Sequence, residues 1–276
     1  MKKKYLLLDS GDGKKLEQIG DYLIARPSSQ AIWPPFLDSS IWAKADAIFS
    51  REEAKSWIFK SKVPNRWVIE IGDLQFIVSP TDFGHLGVFP EHLSFFSQIE
   101  SLIKSRKNPS ILNLFAYTGG ATLLSAKAGA KVCHVDASKP TVFWAKENAK
   151  LNNLENAPIR WIIDDVFKFL KREIKRGVKY DGIILDPPSF GRGSSGQVFK
   201  IERDLPSLIS LCKEVLSSNP FLVFTCHTQG LTQTVLYNLL TQLLPKGQIK
   251  GGEMLLSSAK HSLPLGSYAI WEKDHA

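Results

Sequence analysis

From residue 111 onward, short apolar runs alternate with stretches of helical periodicity, a pattern that admits few folds besides a parallel sheet wound with crossover helices. Strands are predicted at 111–115, 131–135, 159–163, 181–185 and 220–225, with helices near 120–128, 139–152, 165–176, 203–217 and 230–243. Ser138 can cap the second helix, with Pro140 in its first turn. Leu205, Leu208, Ile209, Cys212 and Leu216 repeat at helical spacing in the fourth. Two last strands, near 252–257 and 267–272, follow one another without a helix, so they are expected to extend the sheet edge as an antiparallel hairpin. Residues 1 to about 80 read differently: short apolar stretches, Pro34-Pro35, and a run from Trp67 to Val78 broken by Gly72-Asp73 predict a small β-rich domain. Residues 81–108 are then a linking segment and 109–276 the α/β domain. The apolar run after Lys2-Lys3-Lys4 is cut at Asp9, well short of a signal peptide, and is read as a first strand.

The first α/β strand, Ile111-Leu112-Asn113-Leu114-Phe115, runs through Ala116-Tyr117-Thr118-Gly119-Gly120 straight into a helix. Such a turn leaves backbone N–H groups and a cleft at the strand's carboxyl edge, where nucleotide-like cofactors bind. Asp136 lies 17 residues beyond Gly119, at the tip of Lys131-Val132-Cys133-His134-Val135, where a carboxylate can accept hydrogen bonds from both hydroxyls of a ribose. Dinucleotide enzymes share that geometry but need Gly-x-Gly-x-x-Gly to bring backbone against a pyrophosphate, and Tyr117-Thr118-Gly119-Gly120-Ala121-Thr122 lacks it. S-adenosylmethionine has a ribose and an adenine but no phosphate, tolerates a looser turn, and is the expected cofactor. The same glycines would also serve an ordinary tight βα connection.

A second motif, Asp186-Pro187-Pro188-Ser189-Phe190-Gly191, follows the fourth strand directly. Each proline fixes its own φ and restricts the residue before it, so the strand has a rigid exit that can hold a carboxylate and a carbonyl beside a transferred methyl group. Asp164-Asp165 closes the third strand; Asp165, next to the helix, is expected to accept a hydrogen bond from the adenine amine, although either residue can cap that helix. Gly191 to Gln197, rich in glycine and serine, reads either as a mobile lid or as a plain flexible loop.

The net charge of +8 favours polyanionic partners such as nucleic acid. Lys168, Lys171, Arg172, Lys175, Arg176 and Lys179 cluster on or beside helix 165–176, which also reads as a plain amphipathic element with Val166, Phe169, Leu170 and Ile174 facing inward. Lys60, Lys62 and Arg66 lie among Trp57, Phe59 and Trp67, a mixture that can hold phosphates and stack bases. Cys133, Cys212 and Cys226 show neither paired nor metal-ligand spacing; no metal site is expected, and the pattern suits a reducing cytoplasm. No apolar run approaches the ~18 residues of a membrane span.

Asn113 to Gly119, Val135-Asp136-Ala137-Ser138, the helix Trp144 to Asn152, Asp165-Val166-Phe167 and Asp186 to Phe190 together resemble the class I S-adenosylmethionine-dependent methyltransferases of the 23S ribosomal RNA type. The likeness is above all to the cytosine-C5 enzymes and to the guanine-N7 domain of the bifunctional ones, and it covers most of 80–276. It implies a Rossmann-like α/β fold with a seven-stranded sheet and ribosomal RNA as substrate. It also implies cofactor binding by Asn113, Phe115, Tyr117, Thr118, Gly119, Asp136, Ser138, Asp165, Asp186 and Pro187, with Asp186 and Cys226 catalytic. Gly87-Val88-Phe89-Pro90-Glu91-His92 resembles the segment that precedes the cofactor fold in that family, where an arginine usually follows and this chain has Leu93. The cytosine-C5 branch usually bears an N-terminal RNA-binding PUA domain, for which the first 80 residues leave no room beside the β-rich domain.

Phe224-Thr225-Cys226-His227-Thr228 ends the fifth strand, where that branch places a cysteine whose thiolate adds to the cytosine ring and activates C5; His227 is expected to lower its pKa. Guanine N7 attacks a methyl group with its own lone pair and needs positioning alone. Exocyclic amine methylation ranks third, because Ser189 stands where an aromatic would stack and Phe190 comes one residue later. A methyltransferase for a small molecule or protein, a cofactor-binding RNA chaperone without catalysis, and a nicotinamide oxidoreductase are the competing readings.

Overall fold

The computed structural model describes residues 4–50, 56–192 and 198–274. The chain divides into two compact units, Met1–Ser94 with Leu255–Leu265, and Phe95–Met254 with Gly266–Ala276.

In the first unit, β1 (Tyr5–Gly11), β2 (Lys14–Ile19) and β3 (Tyr22–Pro27) form an antiparallel meander. The β1–β2 turn, Asp12-Gly13, has φ of 49° and 72°, the left-handed pair whose twist matches a two-residue hairpin. After the short helix α1 (Ser39–Trp42), β4 (Ala47–Ser50) joins β3 in parallel and β5 (Ser56–Phe59) completes the order β1-β2-β3-β4-β5. The Gly72-Asp73 turn joins β6 (Trp67–Ile71) to β7 (Leu74–Val78) as a separate hairpin, and the alternation read from the sequence buries Trp67, Ile69, Ile71, Leu74, Phe76 and Val78. Residues 255–265 belong here because Leu256 and Leu263 pack with Leu7 and Ala31, and His261 Nε2 lies 2.6 Å from the Ser10 hydroxyl.

Helix α2 (Leu93–Lys104) enters the second unit, followed by β8 (Ser110–Leu114), α3 (Gly120–Lys127), β9 (Lys131–Asp136), α4 (Lys139–Leu151), β10 (Ile159–Ile163), α5 (Val166–Lys175) and β11 (Tyr180–Leu185). Then come β12 (Phe190–Arg192), β13 (Val198–Lys200), α6 (Ile201–Glu214), β14 (Leu216–Cys226), α7 (Gln233–Leu243), β15 (Gly247–Ser257) and β16 (Ser262–Lys273). The sheet order is β10-β9-β8-β11-β14-β16-β15, parallel from β10 to β14, with β16 antiparallel to β14 as the missing crossover helix requires. Helices cover both faces, so the central strands are apolar at successive positions. Leu112, Ile183, Leu185, Leu222 and Phe224 face Phe169, Leu170, Leu208, Ile209, Leu236 and Leu240 of α5, α6 and α7. Their neighbours Ile111, Ile184, Phe221 and Val223 face Phe95, Ile99 and Ile103 of α2. The antiparallel β12–β13 pair was not foreseen, and 193–197, the last five residues of the segment read as a lid or a flexible loop, lie outside the described residues. No helix among the described residues is long and apolar enough to cross a membrane.

One face of the first unit's sheet buries a charge cluster instead of apolar side chains. Glu17 has no exposed surface; Arg26 donates to it through Nε at 2.6 Å and Nη2 at 2.7 Å, the Tyr5 hydroxyl at 2.8 Å, and Lys15 Nζ lies 3.0 Å away. Burial alone would raise the Glu17 carboxyl, yet the adjacent guanidinium and ammonium hold it at about 2. Its stabilisation is therefore complete above the usual 4.5 and is lost as pH falls through about 2. Arg26→Met, which leaves the carboxylate buried with its main partner gone, is expected to lower the unfolding free energy by about 3–5 kcal/mol at neutral pH in denaturant titrations.

Candidate active site

Strands β8, β9, β10, β11 and β14 are parallel, so the loops after them leave one edge of the sheet, and the residues singled out in the sequence lie in those loops. The β8–α3 turn is the most constrained of them. Phe115, Tyr117 and Gly119 have φ of 53°, 48° and 93°, and a non-glycine residue in that region costs on the order of 1–3 kcal/mol. Hydrogen bonds hold them there: Tyr117 N–H donates to Asp136 Oδ2 at 2.8 Å, Ala116 N–H to the Val135 carbonyl at 3.1 Å, and Asn148 Nδ2 of α4 to the Thr118 carbonyl at 3.0 Å. A Cβ on Gly119 would stand 3.1 Å from that of Ala145, whereas one on Gly120 would meet nothing within 4 Å. The turn is thus packed against α4 at one glycine and open at the next. The N-cap of α3 is Gly119, which has no side chain, so among the described residues no side-chain cap accepts from the helix's first-turn N–H groups.

Asp136 also accepts the Ser138 N–H on Oδ1 at 2.8 Å; the Thr141 hydroxyl lies 3.2 Å from the same oxygen but closer to the Ser138 carbonyl, at 2.8 Å. A carboxylate has about four acceptor sites, so capacity remains after the turn is held. Ser138 caps α4, its Oγ accepting the Thr141 N–H at 3.5 Å. Thr118 is buried, and so is Asn113, whose Nδ2 donates to Thr122 Oγ1 at 2.8 Å. Thr122 Oγ1 is in turn 2.9 Å from His134 Nδ1. Burial, and then Lys146, push His134 down to about 3.

Asp165 caps α5, Oδ1 accepting the Lys168 N–H at 3.0 Å, and Oδ2 is not engaged among the described residues. Asp164 is committed elsewhere: it pairs with Arg172 and accepts the Asp165 N–H at 2.8 Å. The ring of Phe199 lies 5.6 Å from that of Phe115 and 6.2 Å from that of Phe167, so β13 closes an aromatic wall between the β8 turn and the start of α5. Sequence reasoning missed Phe199, since its segment has no periodicity. It also missed Asn148, for which there was a signal: an asparagine inside a helix, on the face that buries Val142, Ala145 and Ala149.

At the exit of β11, Asp186 is half-buried and Pro187 buried. Asp186 Oδ2 is 3.6 Å from His227 Nε2, and Ser189 Oγ is 2.7 Å from Thr228 Oγ1, which links the loops after β11 and β14. Phe190 is 51% exposed. Cys226, one of three free cysteines, has no exposed surface. Burial raises its thiol despite hydrogen bonds from Thr228, contrary to the expectation that His227 would lower it; the His227 ring is turned to Asp186 instead.

A parallel sheet whose seventh strand is reversed, opening at its first βα turn, is the architecture of a class I methyltransferase. The family model for S-adenosylmethionine-dependent methyltransferases matches residues 97–223. A solved S-adenosylmethionine-dependent methyltransferase from Agrobacterium tumefaciens is 38% identical, with a TM-score of 0.93 over 98% of this chain and 91% of its own. The chain belongs to the S-adenosylmethionine-dependent methyltransferase family. It is also similar to Ribosomal RNA large subunit methyltransferase K/L of Syntrophotalea carbinolica, 32% identical over 189 residues, 65% of this chain and 26% of that protein. Ribosomal RNA large subunit methyltransferase I of Aeromonas hydrophila is 27% identical over 246 residues, 83% of this chain and 61% of that protein. The chain therefore spans less than two thirds of either curated relative.

His134 gives this unit an acid dependence. Neutral when folded and titrating near 6.5 when exposed, it takes up a proton on unfolding below pH 6.5, so stability falls by about 1.4 kcal/mol per pH unit toward pH 3. Denaturant titrations at pH 7 and pH 5 are expected to show the wild type losing roughly 2 kcal/mol more than a His134→Gln variant between the two conditions.

Proposed function

We propose that this chain transfers a methyl group from S-adenosylmethionine to a base of large-subunit ribosomal RNA. The observation that supports this most is the gathering of the strained β8 turn, Asp136, Asp165 and the Asp186-Pro187 exit on one sheet edge. The similarity to two ribosomal RNA large subunit methyltransferases supplies the substrate class.

The residues present suit the cofactor. Backbone from Phe115 to Gly120 offers an open surface where a Cβ at Gly120 would meet nothing, and the uncapped N–H groups of α3 suit a carboxylate. Asp136 keeps acceptor capacity for ribose hydroxyls, Asp165 Oδ2 suits the adenine amine, and Phe199 with Phe115 offers ring faces to the adenine. Ser138 and Asn113 act by shaping this surface, through the α4 cap and the Thr122 hydrogen bond. When bound, S-adenosylmethionine supplies an electrophilic methyl group on a sulfonium sulfur. Asp186, fixed by Pro187 and Pro188, positions the acceptor, and the exposed ring of Phe190 is available to a base taken out of its stack. A buried Cys226 with a raised thiol is poorly suited to supply a thiolate, which favours an acceptor with its own lone pair, such as guanine N7, over cytosine C5.

Labelled methyl transfer into large-subunit RNA lacking the modification, followed by nucleoside analysis, is expected to place the label in 7-methylguanosine. Cys226→Ala is expected to remain active; loss of transfer with S-adenosylhomocysteine binding intact would move the acceptor to cytosine C5. Asp136→Ala is expected to weaken S-adenosylhomocysteine in calorimetry roughly 10- to 100-fold, the equivalent of about 1.5–3 kcal/mol for hydrogen bonds to a charged group.

A further inference from the structure

Strand β5 ends the first unit's sheet and carries a surface that the methyl-transfer site leaves unexplained. Its register on β4 sets Trp57 opposite Phe49 and Phe59 opposite Ala47, so the two aromatic residues of β5 share one face. Their rings are nearly parallel, 22° apart with centroids 6.1 Å from one another, and Phe49 meets Trp57 edge-on at 5.2 Å. This row runs from core to solvent: Phe49 is 4% exposed and Phe59 49%. Opposite Phe59 stands only the methyl group of Ala47, so no large cross-strand side chain shields its ring. Trp57 is anchored by its Nε1, which donates to the Thr81 carbonyl at 2.8 Å.

Cations follow the rings. Lys60, Lys62 and Arg66 are exposed, and residues 56–67 contain no acid. Asp46 accepts hydrogen bonds from the Leu23 N–H at 2.8 Å and the Ser61 hydroxyl at 2.5 Å. Lysines also protect sheet edges against pairing, but that role would place them within the strand. Here the strand keeps its half-exposed rings and the lysines come after it.

We propose that β5 and the segment after it form a binding platform for single-stranded RNA, with a base stacked on Phe59 beside Trp57 and phosphates held by Lys60 and Lys62. The choice of RNA as the polymer rests on the function proposed above; the ring row and the charge stand without it.

The test is fluorescence anisotropy of a labelled oligouridylate with the full chain. Wild-type affinity is expected to fall as salt rises, and Phe59→Ala to weaken binding roughly 5- to 100-fold, as for the loss of one base–aromatic stack of about 1–3 kcal/mol. Phe59→Leu, which keeps apolar bulk without a ring face, is expected to weaken it comparably. The Lys60→Ala/Lys62→Ala double variant is expected to lower the salt slope by about 1.4, at about 0.7 per lost phosphate contact. Circular dichroism melts and S-adenosylhomocysteine calorimetry are expected to be unchanged in every variant. Methyl transfer is scored separately, so failure of the methylation reading remains distinguishable from failure of the platform. Equal RNA affinity of wild type and both Phe59 variants overturns the proposal, as does a wild type that binds no oligouridylate. Loss of a concentration-dependent dimer in Phe59→Ala, with RNA affinity unchanged, would make β5 a self-association edge and also overturn it.

Discussion

Asp136 holds the β8–α3 turn in a conformation that Phe115 and Tyr117 would otherwise avoid, and that restraint fixes where α3 begins and where the sheet edge opens. Two left-handed non-glycine residues together cost on the order of 2–6 kcal/mol, which persists only where the surroundings over-determine the backbone. Those surroundings are the Asp136 carboxylate, the Val135 carbonyl and the Asn148 amide, contributed by β9 and α4. The carboxylate proposed to meet the ribose is thus already a structural acceptor. Filling the site and stiffening the turn draw on the same two oxygens, so ligand affinity and local backbone order are coupled.

The first unit is specified by different means. Lys15 and Arg26 are directly opposed across β2 and β3, an arrangement that like charges alone would disfavour, and Glu17 two residues on pairs with both. A slip of one residue would send Arg26 to the opposite face and strand Glu17 in the interior without it. An apolar cluster would also be turned out to solvent by such a slip; the ions add a requirement for particular partners that hydrophobic contact lacks. The buried ions cost desolvation, and their pairing geometry is met in the observed register of the meander.

Much of the second unit was legible because its parallel strands are covered on both faces and so read as unbroken apolar runs, as in Ile183-Ile184-Leu185. The reversed edge followed from the missing helix between the last two strands. The Gly72-Asp73 hairpin followed from turn chemistry and alternation. What stayed hidden depends on partners distant in sequence. β15 begins at Gly247, through a glycine-rich stretch of low strand propensity, because pairing decides it. Phe199 gains a place only once Phe115 and Phe167 are beside it. Asp164 and Asp165 are equivalent as letters and differ only because Arg172 takes the first. Cys226 was visible as a strand-end cysteine, but its burial, which decides its protonation, belongs to the packed core around it.

The first unit is completed by a piece of chain about 160 residues beyond its main body, since Leu256, His261 and Leu263 supply part of its packing. On the ribosome, at about 5–20 residues per second, its N-terminal strands emerge roughly 10–30 s before that piece exists. Leu7 and Ala31 spend that interval without the side chains that finally cover them, while the strands of the second unit are still being made. Final closure of the first unit therefore waits for the synthesis of residues 255–265, after most of the second unit has been made.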